Sequence, residues 1–152
     1  MKIATLALLN VSLLLSLSAC SEINSPQSSS ATGSIEPCPA SPNCVSSDAA
    51  DKNHFIMPFQ LTTTAEKAWP MVIEVIMELP RSNIIQQKDN LLAVECRSAV
   101  LGFVDDLKLQ LRASEGIIAV YSASRIGYSD FGVNRDRIEV LRAALIKRGV
   151  IK

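Results

Sequence analysis

FVDDLKLQLRASEGIIAVYSAS, residues 103–124, decides the architecture of this chain. Leu107, Leu109 and Leu111 alternate with Lys108, Gln110 and Arg112, the period-two pattern of a strand with one buried and one wet face. A turn at Glu115-Gly116 then opens a second β-rich run, GIIAVYSAS. So short a link joins antiparallel neighbours, because a parallel crossover needs roughly a dozen residues or more. Working upstream, RSNIIQQK passes through Asp89-Asn90 into LLAVECRSA, a second hairpin. Before it, FIMPFQLTTT (55–64) predicts a first strand in which Pro58 suits an edge or a strand start. Thr63 or Thr64 is placed to cap a helix running to about Leu79, with Trp69, Val72, Ile73 and Ile76 on one face. Pro70 predicts a kink there, or a helix start moved to about residue 69. Downstream, Ile138, Leu141 and Leu145 share one face of a helix from about Asn134 to Arg148, with Gly149 placed to end it. The order β-α-β-β-β-β-α predicts an α+β domain: a mostly antiparallel sheet of about five strands, with two helices packed on one face.

A chain of 152 residues is long enough for one domain with a real core. Lys plus Arg and Asp plus Glu balance at fifteen each, so the broad basic footprint of a nucleic-acid-binding protein is absent. The N-terminus, MKIATLALLNVSLLLSLSAC, has one Lys and then an apolar run too short for a stable membrane span, the layout of a signal peptide. Its end, LSAC from Leu17 to Cys20, resembles the lipobox of bacterial lipoproteins. An ordinary cleavage site wants small residues at −1 and −3, and Leu17 at −3 suits the lipoprotein pattern better. The resemblance implies lipidation of Cys20, and Ser21 after it implies sorting to the outer membrane.

Three segments follow from this: a signal peptide at 1–19, a lipidated Cys and Ser-rich tether at 20–37, and a single domain at 38–152. A tether of that composition has a typical reach of roughly 20–25 Å. The expected location is the periplasmic face of the outer membrane, with the membrane as first partner through the acyl chains. In that oxidising compartment, Cys38 and Cys44, brought round by the CPASPNC turn, predict a disulfide contributing about 2–2.5 kcal/mol. A metal site from Cys38, Cys44, Cys96 and His54 fits no zinc spacing, so neither metal nor cofactor is expected. Cys96 alternates with apolar residues and reads as a small buried hydrophobe.

Polar side chains gather in two blocks. RSAVLGFVDD holds Arg97, Asp105 and Asp106; SASRIGYSDFGVNR holds Ser124, Arg125, Tyr128, Asp130, Asn134 and Arg135. The antiparallel pairing brings both blocks to one end of the sheet. Together with CPASPNCVSS they resemble the domain of unknown function 1499 family, from Cys38 to about Leu145. The family resemblance implies motif positions and no activity.

Three readings compete for these residues. An envelope enzyme would use Asp105 or Asp106 as acid and base, with Arg125 or Arg135 holding an anion. Adjacent strand residues point to opposite faces, however, so the two carboxylates do not share a site. His54, the sole histidine, has no identifiable triad partner, and no Walker, dinucleotide or H-E-x-x-H pattern occurs. A binding module would hold a small apolar or lipid-like ligand between sheet and helix, with an arginine at the pocket mouth. In the third reading Arg97 or Arg125 pairs with an Asp across strands, Asp130 or Asn134 caps the last helix, and Tyr128 packs its ring. Function is then non-catalytic scaffolding or contact with an envelope protein, and the sequence favours this one.

Overall fold

A computed structural model describes residues 35–152. The expected signal peptide, Cys20 and the tether up to Ser34 lie outside them. Element order is β1 (Cys44–Ser46), β2 (Phe59–Gln60), α1 (Ala65–Met77), β3 (Ser82–Lys88), β4 (Leu91–Arg97), β5 (Val104–Arg112), a 3₁₀ turn (Ala113–Glu115), β6 (Ile117–Ser124) and α2 (Val133–Lys147). The strands form one antiparallel sheet in the order β1-β6-β5-β4-β3, and β2 pairs with β6 along the same edge as β1. The architecture is the expected α+β one, with one strand more than foreseen.

Register follows from the alternation in the sequence. Leu107 pairs with Val94 and Ser122, and Leu109 with Leu92 and Val120. All of these point to the helices, where they meet Val72 and Ile76 of α1 and Ile138, Leu141 and Leu145 of α2. These side chains are almost wholly buried, and each buried Leu, Ile or Val contributes on the order of 1.5–3 kcal/mol. The opposite face is covered near β1 by the incoming chain: Ile35 and Cys38 pack on Cys44, Tyr121 and Ala123, and Glu36 pairs with Lys108.

Three local expectations change. The first strand shrinks from 55–64 to Phe59–Gln60, since Pro58 has no N–H to give a ladder; the edge is shared instead with β1, which the sequence reading missed. Helix α1 starts at Ala65, not near residue 69, and carries Pro70 inside it. Pro70 lies on the exposed side, so the carbonyl left without its helical donor can be hydrated. Thr64 occupies the N-cap position without a side-chain capping bond.

The end of α2 is as anticipated. Gly149, at φ +69°, turns the chain so that its N–H reaches the Ile146 carbonyl and the Val150 N–H reaches that of Leu145. This is a Schellman closure, and it buries Val150. A bulge interrupts edge strand β3 between Ile84 and Gln86 and turns Ile85 outward.

Candidate functional site: a buried polar knot

Pairing of Asp105 with Ser124 in β5 and β6 puts two polar residues on the helix side of the sheet, at one end of the apolar core. Ser122, two residues earlier on β6, faces the same way. Helix α2 closes over them with Asn134 in its first turn and Arg137 one turn along, a spacing that keeps both on one helix face.

Asn134 is fully buried and is the hub. Its Oδ1 accepts from Ser122 Oγ at 2.7 Å and from Arg137 Nη1 at 2.6 Å. Its Nδ2 lies 3.0 Å from the Asn43 carbonyl, 3.0 Å from Ser124 Oγ and 2.9 Å from Asp130 Oδ2. Arg137 bonds Ser122 Oγ at 2.9 Å and forms an ion pair with buried Asp105. Asn43, itself buried, donates to the Gly127 carbonyl at 2.6 Å. The three sequence blocks thus meet in one knot: the CPASPNC turn brings Asn43, β5 brings Asp105, and the last block brings Ser124, Asp130 and Asn134.

Asp130 is the capping residue the sequence suggested, acting from ahead of the helix. Its carboxylate accepts from the N–H groups of Gly132 at 3.1 Å and Asn134 at 2.8 Å. Between them the chain passes through left-handed conformations at Phe131 (φ +54°) and Gly132 (φ +87°). Such a backbone is ordinary for glycine and strained for phenylalanine. Asn134 is not a cap; it lies inside the helix and bonds back to the sheet.

On the other face of the sheet, Asp106 and Arg125 form a second arrangement. Arg125 donates to Asp106 through Nε at 3.0 Å and Nη2 at 2.7 Å, and Nη2 also reaches Glu95 at 2.7 Å. The hydrogen bonds it donates to Asp106, then to Glu95, raise the pKa of the guanidinium above its ordinary value. Arg97 pairs with Glu95 of its own strand at 3.3 Å, not with an aspartate. The two carboxylates are separated by the sheet, as alternation requires.

Two further residues leave the expected cluster. Arg135 turns away and donates to the carbonyls of Phe55 at 3.0 Å and Asn53 at 2.9 Å, pinning the loop before β2. Tyr128 does not pack its ring; it is 76% exposed, because the bond from Asn43 ties the neighbouring Gly127 backbone inward. The sequence reading missed Asn43 and Arg137. Arg137 was findable, three positions after Asn134 on a helix whose face was already read; Asn43 gave no such signal.

Asp105 and Asp106 are therefore each held by an arginine. Among the described residues no buried side-chain nitrogen or oxygen lacks a hydrogen-bond partner, and no group of three or more His, Cys, Asp or Glu is placed to hold a metal ion. The space between sheet and helices is filled by apolar side chains. An open groove of about 660 Å³ lies elsewhere, between α2 and the chain at 55–58, lined by Phe55, Met57, Arg135 and Arg142. Arg125 is not at its mouth. Arg142 is engaged there with the carbonyls of Met57 at 2.6 Å and Pro58 at 3.2 Å, and its guanidinium lies over the Phe59 ring.

Fold and site together define a two-layer α+β domain whose strand-to-helix corner is sealed by a buried polar knot. The chain belongs to the family described as Protein of unknown function (DUF1499), which it matches over residues 34–145. No curated protein and no solved structure matches it.

Proposed function

We propose that this chain is a lipid-anchored, non-catalytic domain that acts by contact at the periplasmic face of the outer membrane. One observation carries the non-catalytic part: the two strand carboxylates of the polar motif are neutralised by fixed arginine partners, Asp105 by Arg137 and Asp106 by Arg125. An acid or base must exchange a proton with a substrate, and a carboxylate held by a guanidinium is poorly placed to do so. The motif then serves to lock the last strand to the last helix, leaving the surface to do the work. LSAC at 17–20, followed by Ser21, supports the anchor and its destination.

The test uses the native chain from its own envelope. Mass spectrometry of the N-terminal peptide should show acylated Cys20, and crosslinking before extraction should recover a stoichiometric envelope protein. Asp106→Asn should keep the cellular phenotype of the wild-type chain. Loss of that phenotype in a stably folded Asp106→Asn protein would overturn the non-catalytic reading.

A further inference from the structure

The end of the sheet that holds the polar knot also carries two loops with little room for charge. SAVLGF (98–103) joins β4 to β5, and RIGYSDFG (125–132) joins β6 to α2. They lie side by side, since Arg97 pairs with Val104 and the Arg125 N–H bonds the Val104 carbonyl at 3.1 Å. Val100, Leu101, Phe103, Ile126, Tyr128 and Phe131 are all exposed there, Val100 by 90% and Phe131 by 95%. Six large apolar side chains in two adjacent short loops are a patch, not the scattered exposure of an ordinary surface.

The patch is held out, not left over. Phe131 keeps a left-handed backbone that its side chain disfavours, and the Asp130 carboxylate maintains it by accepting from the N–H groups of Gly132 and Asn134 just beyond it. Strain of this kind persists where surrounding structure over-determines it, and it concentrates at functional sites. The same bonds turn the one acidic group of these loops inward. The arginines nearest the tip, Arg97 and Arg125, stand behind it at the strand ends.

We infer that this apolar tip inserts into the interface of the bilayer that carries the lipid anchor; the inference rests on the anchored reading above. Where the chain enters the domain favours lipid over a protein partner. Ile35 packs on the cluster of Cys44, Tyr121 and Ala123, and Glu36 pairs with Lys108 opposite Tyr121, so the connection to Cys20 enters beside β6 about four residues, or roughly 13 Å, from the tip. Fourteen residues separate Cys20 from Ile35, and a Ser-rich chain of that length has a typical end-to-end distance of about 20 Å. Anchor and tip can therefore meet one membrane. The loops carry aromatic rings, which favour the headgroup boundary, and the arginines behind them are already paired with Glu95 and Asp106, so the contact with lipid is apolar. The acyl chains hold the molecule to the surface, and the tip sets its orientation.

Two measurements decide this. In the first, the full lipidated chain is reconstituted in phosphatidylethanolamine–phosphatidylglycerol vesicles with brominated acyl chains. An indole introduced by Phe131→Trp should be quenched several-fold more than one introduced by Val140→Trp on the exposed side of α2, with buried Trp69 as a common background. Equal quenching at the two positions overturns the proposal.

In the second, the chain from residue 20 onward carries Cys20→Ser and is floated with the same vesicles without bromine. Leu101→Ser and Phe131→Gly should each weaken binding by about tenfold, with little dependence on salt. Phe131→Gly should not lower the melting temperature, because an exposed side chain is removed and the backbone suits glycine. Binding unchanged by both substitutions, or abolished by salt, overturns the proposal, as does a crosslinked protein partner that shields residue 131 from lipid. Acylation of Cys20 is read separately by mass: an unmodified Cys20 refutes the anchor, while flotation still decides the tip.

Discussion

Replacing Arg137 by Met keeps the bulk of the side chain and removes its charge, which isolates what the buried ion pair contributes. Asp105 would remain almost wholly buried with no counter-charge, a situation that typically costs ~3–5 kcal/mol. Asn134 Oδ1 and Ser122 Oγ would each lose a donor, adding about 1 kcal/mol. Arg125→Met is the matched comparison on the other face. Its side chain is 38% exposed, and Asp106 and Glu95 can turn to water once it is gone, so its loss should cost about 1 kcal/mol. Urea unfolding at neutral pH reads both. With a slope on the order of 1–3 kcal/mol/M, Arg137→Met should lower the midpoint by about 2 M and Arg125→Met by about 0.5 M. Adding Asp105→Asn to Arg137→Met should recover part of the loss, since a neutral amide is less costly to strand than a carboxylate. Equal shifts in the two single variants, or no recovery in the double one, would refute the claim that the knot is the stabilising half of the motif.

Other consequences are smaller. Cys38→Ser should lower stability by about 2–2.5 kcal/mol through the short loop that the Cys38–Cys44 bond closes, read as the same midpoint shift without added reductant. The hydrogen bond that the His54 ring donates to Asp51 raises the histidine pKa above its ordinary value and lowers that of the aspartate. The histidine part of this pair is fully present below pH 6.5 and is lost as pH rises through the raised value; the aspartate part is lost as pH falls through its lowered one. Protection of the amides at residues 51–55, taken relative to their intrinsic exchange at each pH, should therefore be greatest between those limits, and a flat protection profile would contradict the pairing. Burial raises the pKa of the Cys96 thiol, so maleimide should label it only after unfolding.

Much of the fold was readable because alternation and short turns are local. Leu107, Leu109 and Leu111 gave the core face of β5, and the turn at Glu115-Gly116 gave its antiparallel partner. Strand β1 was not readable: three residues beside a disulfide turn show no period, and their pairing with β6 spans about half of the chain. The candidate site divided in the same way. Asp105 and Asp106 were assigned to opposite faces by strand geometry alone. Which arginine met which aspartate depended on the angle at which α2 crosses the sheet end, and no pattern along the sequence encodes that angle. Arg135 and Tyr128 looked like members of the cluster because they are near it in sequence; backbone bonds to Asn53, Phe55 and Gly127 direct them elsewhere.

The bulge in β3 has a consequence for molecules that meet one another. An edge strand offers unpaired backbone groups to any identical edge, and two regular β3 strands could zip into a continuous sheet across two copies. The extra residue between Ile84 and Gln86 breaks the spacing such a zipper requires and twists the strand locally. Confinement to a surface raises the rate at which copies collide, so a chain held there gains most from such a device. Deleting Ile85 would straighten the edge, and crowding would then favour domains joined in pairs along β3 over separate ones.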